Sequence, residues 1–405
     1  FDGLKAGPAN SGAFAVYWNP AGLAQSQTLI HLHTLGVNRH ATFDRYAEEN
    51  NVPPELASIN AGENTTGSTG FVPALAMSHG LTLGQFDLGF GLASFIDRAG
   101  KTNWRKNFAA PSEVPGAIDG PQRWSTINTN LLILSTAMGF GLKYNPWRLS
   151  VGVTPIYNYA QLSTVRARNP DGGERVVDES GRLAEGRILF DDGEGSGLGW
   201  VAGLRWEPSD EWLFGLAWHT GVPYEIKGQA HLTFGRAEES NAPAAFELPV
   251  PHTVRAEAAI EIDSNLVIRP QLSWAQWSIF KEQKAINTDN GEVVLNQARD
   301  FEDVFAYRIA LDWTVSDTVI LHASGQFETG ATPIATFEPG LAESNNWELG
   351  AGTTVEITDS VSAGISFTWQ QFEDAEVRNS VQKPLMNGFY TDRRHYLSLD
   401  LEFEL

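Results

Sequence analysis

The chain has 405 residues, a formal net charge of −21 and no cysteine, which excludes disulfides, thiolate metal sites and a cysteine nucleophile. The acidic balance argues against a nucleic-acid partner, because phosphate binding needs clustered Lys and Arg. No run approaches the roughly 20 apolar residues of a membrane helix. A mean hydropathy of −0.22 still does not make the chain soluble, since polar lumen residues cancel lipid-facing ones in any window average over a transmembrane barrel.

The chain opens on Phe1 with no signal peptide, as expected of a processed protein. Its first segment, GPANSGAFAVYWNPAGLAQ, is too rich in Gly, Ala and Pro to extend the first strand. That strand, near residues 29–37, is ambiguous in parity, as is the run at 127–142. LGFGLASF reads as the third strand and carries Gly89 and Gly91.

From Trp200 onward the alternation is plain. Trp200, Ala202, Leu204 and Trp206 oppose Val201, Gly203 and Arg205; Phe214, Leu216 and Trp218 oppose Gly215, Ala217 and His219. Val254, Ala256, Ala258, Ile260 and Ile262 oppose Arg255, Glu257 and Glu261. Phe305, Tyr307, Ile309, Leu311 and Trp313 oppose Arg308 and Asp312, and Val361 to Trp369 repeats the pattern against Ser, Gly and Thr. Period two over such lengths predicts strands with one apolar and one polar face. No long segment has a helical period.

Tight turns are expected near residues 79–84, 144–147, 207–211, 263–265, 314–318 and 358–360. Long polar stretches lie between them, at 44–69, 97–121, 167–197, 235–251, 281–303, 330–345 and 374–389. Strict alternation of short and long connections gives a barrel two different ends, and about fourteen strands, the even number bacterial outer-membrane barrels use. The fold expected is all-β: a transmembrane antiparallel barrel spanning 27–405 with both termini periplasmic. A soluble sandwich or propeller also alternates, but its strands are typically about five or six residues. Its tryptophans also need not gather at strand ends, as Trp147, Trp206, Trp212 and Trp313 do here beside the short turns, like an interfacial aromatic girdle.

In the first segment the triplet Asn19, Pro20, Ala21 is similar to the hatch motif of the FadL family of outer-membrane transporters for long-chain fatty acids and other hydrophobic compounds. GLGWVAGLRWEPSDEWLFGLAW, LPVPHTVRAEAAIEID, AYRIALDW and NNWELGAGTTVEITDSVSAGISFTW resemble that family's strands in the family's order. The resemblance covers nearly the whole chain and weakens in the long loops. It implies a fourteen-stranded barrel plugged from inside by an N-terminal hatch, residues 1–26, passing apolar ligands through an opening in its wall.

The resemblance places a strand kink, and with it the lateral opening, at Gly89 and Gly91; ordinary packing glycines under the hatch are the alternative. Arg205, Arg255, Arg269 and Arg308 share the inward parity and either bind a ligand carboxylate bidentately or form lumen salt bridges with Glu257, Glu261 and Asp312. The position where the family carries a basic residue for a fatty-acid head group falls on Tyr159, which favours neutral hydrophobic substrates.

Other chemistry is thin. GxSxG, P-loop and HExxH motifs are absent, so no enzyme activity, cofactor or metal site is expected. His31 and His33 are a weak metal pair, NTDNGE at Asn287 a weak calcium loop, and DDGEG at Asp191 a solvated loop tip. The last strand, LSLDLEFEL, turns Leu397, Leu399, Leu401, Phe403 and Leu405 to lipid, ending on Leu rather than an aromatic residue. The expected partners are a hydrophobic small molecule (fatty acid, detergent or lipid) and outer-membrane lipid. Passive import of hydrophobic molecules is the leading function. The alternatives are a role as binding or assembly partner for surface proteins through the external loops and, last, a membrane enzyme.

Overall fold

The computed structural model describes residues 6–25, 27–111, 113–169, 173–176, 184–234 and 240–405. Nineteen strand segments among them form one sheet that closes on itself as fourteen staves. Six are continuous: β1 (Leu29–Arg45), β2 (Gly62–Leu83), β3 (Phe86–Asn103), β4 (Asn128–Tyr144), β5 (Leu149–Arg168) and β6 (Gly186–Trp206). The next four are each broken in two: β7 (Trp212–His219) with β8 (Val222–Phe234), β9 (Ser240–Val250) with β10 (Thr253–Asp263), β11 (Leu266–Ala275) with β12 (Glu282–Asn287), and β13 (Val293–Ala298) with β14 (Val304–Ser316). Then come β15 (Val319–Glu328), β16 (Asn346–Thr358), β17 (Val361–Phe372) extended by β18 (Ala375–Val377), and β19 (Gly388–Glu404).

Closure is made by β19 against β1, in unbroken register from Leu29↔Glu404 to Arg45↔Gly388. Every neighbouring pair is antiparallel, as short-turn connections demand. Period two sends Leu32, Leu75, Met77, Leu92, Met138, Trp200, Trp218, Ile309 and Phe367 outward, each more than a third exposed, onto the face that contacts lipid. The parities the sequence left open are settled: His31 and His33 face inward while Leu32 faces outward, and Ile133, Ser135 and Ala137 face inward while Leu134 and Met138 face outward. Trp147, Trp206, Trp212 and Trp313 all lie on the outer surface beside short turns.

The long polar stretches differ from expectation. Much of each is strand: β5 has 20 residues and β2 has 22, where about 9–11 suffice to cross a membrane. The 281–303 stretch holds the hairpin β12–β13, and DDGEG lies within β6, with Asp191 hydrogen-bonded to His231 at 2.9 Å and Asp192 at φ 49°. Polar composition hid these strands because both faces of a wall rising beyond the bilayer meet water or other loops.

The long-loop end is capped. Trp124 is fully buried with Phe43, Phe337 and Tyr390 in one cluster. Arg123, also fully buried, donates Nε and Nη2 to Glu185 at 3.0 Å each and Nη1 to the carbonyls of Ile59 and Gly120. Arg45 pairs with Glu174 at 2.6 Å and Arg299 with Glu338 at 2.7 Å. Removing one partner of such a pair leaves the other as an uncompensated buried charge. Arg123→Met is therefore expected to destabilise the cap by about 3–5 kcal/mol, read as early denaturant unfolding and loop proteolysis in detergent; an unchanged profile would show the pair to be dispensable.

Candidate functional site: hatch, lumen pocket and wall window

Residues 6–25 lie inside the barrel. Their only regular structure is a turn of helix, α1 (Ala15–Trp18), and a 3-10 helix (Pro20–Gln25). Residues 1–5 and 26 of the expected plug lie outside the described residues. The segment is seated on glycines of one wall: the backbone of Leu23 presses on Gly89, the side chains of Leu23 and Val16 on Gly91, Pro20 O on Gly141, Asn19 on Gly203 and Pro8 on Gly215. A Cβ at Gly91 would sit 2.7 Å from Leu23 Cδ2, and at Gly141 2.6 Å from Pro20 O. The Gly-rich alternation of β3 to β7 is thus a socket.

Polar groups hold the segment in place. Asn19 is fully buried; its Nδ2 donates to Pro8 O (2.6 Å) and Leu204 O (3.0 Å), and its Oδ1 accepts from Ala21 N (3.1 Å). Pro20 cannot donate, so its missing N–H costs nothing where it opens the 3-10 turn. Ala21 packs fully buried. Ala9 N donates to Glu257 at 2.7 Å, and Arg308 Nη1 donates to Ala6 O at 2.9 Å.

The inward arginines divide by role. Arg205 pairs with Glu207 (2.8 Å), Arg269 with Asp312 (2.6 Å), and Arg308 holds the hatch. Arg255 stacks over Trp18, 5.3 Å from the ring centroid, and its Nη1 has no hydrogen bond. Glu261 is exposed at the short-turn end. Tyr159 requires a correction: it alternates with the inward Ile156, Asn158 and Ala160 of β5 and so faces outward beside exposed Tyr157. It cannot meet a ligand in the lumen.

Immediately above the hatch lies a tight lumen pocket of about 60 Å³, lined among others by Tyr17, Asp97, Arg98, His219, Tyr224 and Arg255. Arg98 Nε, His219 Nε2 and Arg255 Nη1 are buried there without hydrogen-bond partners. Towards the long-loop end the pocket adjoins an apolar lumen cluster, with Ile133, Leu162, Phe190, Val222, Ile226 and Phe246 turned inward. Sequence parity alone did not find this cluster. The signal was present in the apolar residues of the "loop" stretches, which become meaningful only once those stretches are strands. Across the lumen, along β14 to β17, a second cavity of about 210 Å³ has a mixed lining that includes Arg308, Asp312, His322 and Glu348 beside Leu35 and Ala323.

The pocket meets an interruption of the wall. β2 and β3 are paired from Leu83↔Phe86 to Ala74↔Phe95 and no further. Above that point β2 pairs only with β1 and β3 only with β4, until Thr66 and Trp104 form an isolated bridge. Residues 67–73 and 96–102 thereby bound a window. Pro73 has no N–H to offer a ladder, and the β3–β4 register shifts between Ile96 and Arg98. Asp97 and Arg98, although consecutive, both line the lumen pocket, which a regular strand forbids and a bulge permits. A Cβ at Gly70 would meet nothing within 4 Å, and Phe71 on the rim is 74% exposed. The ladder through Gly89 and Gly91 is continuous on both sides; the break in pairing lies further along the same strand, and these two glycines pack against Val16, Leu23 and Ala24 of the N-terminal segment.

Among the described residues no group of three or more His, Asp or Glu is placed to hold a metal. His31 and His33 both contact Asp400 Oδ1 at 2.9 Å. The Asn287 turn uses its acceptors on its own backbone, with Asn287 Oδ1 taking Asp289 N and Asn290 Oδ1 taking Glu292 N at 2.9 Å each.

Comparison with known proteins agrees with this architecture. A family model described as outer membrane protein transport protein (OMPP1/FadL/TodX) matches residues 5–396. The long-chain fatty acid transport protein of Shigella flexneri is 23% identical over 278 residues, 62% of each chain, so this chain spans under two thirds of that relative in the match. The Salmonella typhi protein of the same name is 25% identical over 284 residues, 62% of this chain and 61% of its own. Among solved structures, a Pseudomonas aeruginosa FadL homologue aligns over 99% of this chain and 96% of its own, with TM-score 0.81 and 15% identity. The Pseudomonas putida toluene transporter TodX aligns over 100% and 99%, with TM-score 0.73 and 13% identity. At such identities the likeness establishes the fold.

Gly89→Val is expected to unseat the hatch while leaving the wall ladder intact. Its Cβ would overlap the Leu23 carbonyl, and overpacking of this kind costs typically about 1–3 kcal/mol. Protease access to residues 6–25 and ion leakage in planar bilayers should both rise; a hatch as protected as in wild type would show that the socket does not depend on glycine.

Proposed function

Because the chain belongs to the OMPP1/FadL/TodX family of outer membrane transport proteins, we propose that it carries hydrophobic molecules passively into the outer membrane, taking them from its lumen pocket and releasing them sideways through the β2–β3 window. The observation that carries this reading is the coincidence of the two features: the ladder stops at Ala74 and Phe95, and Asp97 and Arg98, the next residues of β3 after Ile96, line the pocket above the hatch. An aqueous pore offers an acyl chain nothing, whereas each methylene buried against apolar groups is worth about 0.8 kcal/mol. The cluster around Phe190, Ile226 and Phe246, packed between the loops and the pocket, is the apolar material against which an entering ligand would be buried once those side chains part.

The two unpartnered donors, Arg98 Nε and Arg255 Nη1, favour ligands whose apolar body carries an oxygen acceptor, with long-chain fatty acids foremost. Buried donors cost free energy until paired, so a ligand oxygen is bound at the expense of an existing defect rather than of water. The long-chain fatty acids for which relatives are named fall within this class. Termini and short turns face the periplasm in this reading, with the long-loop cap outside. Ten residues of β2 separate the window from its short turn; at about 3.3 Å per residue and 40° tilt this is roughly 25 Å, near the outer edge of the apolar band. Release is therefore into the outer leaflet. The chain acts without chemistry of its own.

The test is uptake of labelled oleate and of toluene by cells lacking other transporters of this kind, with wild type and Pro73→Val. Valine restores the missing N–H and favours a regular strand, so ladder pairing should extend into the window and uptake of both compounds should fall several-fold at equal expression. Absence of uptake by wild type would overturn the transport reading. Uptake unaffected by Pro73→Val would move the exit away from the window.

A further inference from the structure

A gap in a membrane-facing sheet is unstable by default, because two unpaired edges gain hydrogen bonds by zipping together. Pro73 blocks one position, but the window continues beyond it, and something must keep β3 from closing. Tyr17 of the hatch lies at this point. Its ring packs edge-on against Phe95, the last β3 residue paired with β2, at 4.9 Å between centroids. Its hydroxyl donates to Asp97 Oδ1 at 3.1 Å, the residue skipped by the β3–β4 ladder. The same ring is fixed from the other side by His219 at 5.0 Å and by Trp18 at 5.2 Å, and Trp18 in turn lies under Arg255. Arg98, forced inward beside Asp97, stands 5.5 Å from the Trp277 ring centroid.

We propose that Tyr17 is a positioning residue of the exit: by holding Phe95 and Asp97 into the lumen it maintains the β3 bulge, so that the seated hatch keeps the wall window open. This rests on the lateral route proposed above and adds the coupling of hatch to window. Asp97 is short of alternative donors: Arg98 Nε approaches its Oδ2 only to 3.5 Å and makes no hydrogen bond. Without the tyrosine hydroxyl the carboxylate loses its close donor, and the inward bulge loses the contact that repays its cost. With it, the hatch that blocks the axial path also sets the sideways one, and a ligand in the pocket touches Tyr17, Asp97 and Arg98 together.

Tyr17→Phe keeps the ring and removes only the hydroxyl. Two measurements follow, on the full chain in detergent or cells. Amide hydrogen exchange across residues 67–72 and 99–102 should slow as the edges pair. Oleate uptake should drop about five- to tenfold, the population shift that loss of one charge-assisted hydrogen bond delivers. Asp97→Asn retains an acceptor for Tyr17 and should keep both properties near wild type, whereas Asp97→Ala should match Tyr17→Phe. Unchanged exchange in Tyr17→Phe and in Asp97→Ala would overturn the proposal whatever uptake does. If exchange slows as expected while wild type takes up nothing, the clamp stands and the transport route falls.

Discussion

The structure depends on one constraint: in hydrocarbon no water is available to a backbone amide, so each N–H and C=O must find a partner within the protein. A sheet satisfies this only by closing, and the seventeen-residue register between β1 and β19 is where it closes. Period-two alternation follows, since a closed wall has one face for lipid and one for the lumen. The breaks in the staves follow as well: where β9 passes into β10 the chain carries Pro251, and pairing resumes on the far side.

Against that constraint the β2–β3 window is the costly exception, and the chemistry around it is arranged to sustain it. A proline removes one donor, a bulge turns two consecutive side chains inward, and a hatch tyrosine holds the turned residue. Glycines on the neighbouring staves let the hatch backbone approach the wall closely enough for that tyrosine to reach. In the proposed coupling, hatch, socket and window act together, whereas the long-loop cap with its buried Arg123, Arg45 and Arg299 pairs closes the barrel above them.

The lumen is two-sided. The wall from β3 to β9 carries the glycines that meet the hatch and a buried apolar cluster; the wall from β14 to β17 carries ion pairs and borders a cavity of about 210 Å³. Ion pairs such as Arg269 with Asp312, and the Asp312–His322 contact at 2.7 Å, stiffen that side. This division explains why the four arginines of one parity have different roles: Arg205 and Arg269 pair with a carboxylate, Arg308 bonds the hatch, and Arg255 joins Arg98 at the pocket with an unpartnered donor. Parity reports the face of a strand, and partners on that face decide availability.

The sequence by itself determined the fold class, the strand count, the lipid face and the interfacial tryptophans, because all of these are consequences of local periodicity and turn length along the chain. It also marked the N-terminal segment as something other than strand through its Gly, Ala and Pro content. The tertiary structure decided the rest. Gly89 and Gly91 look alike as kink or socket until Leu23, some 66 residues away in the chain, is seen against them. Tyr159 looked inward because its strand's register was set by approximate likeness, and one residue of slip moves a side chain to the other face. The window has no sequence motif: a ladder that stops is a relation between two strands, and the clamp at Tyr17 and Asp97 joins residues whose only connection is through the folded lumen.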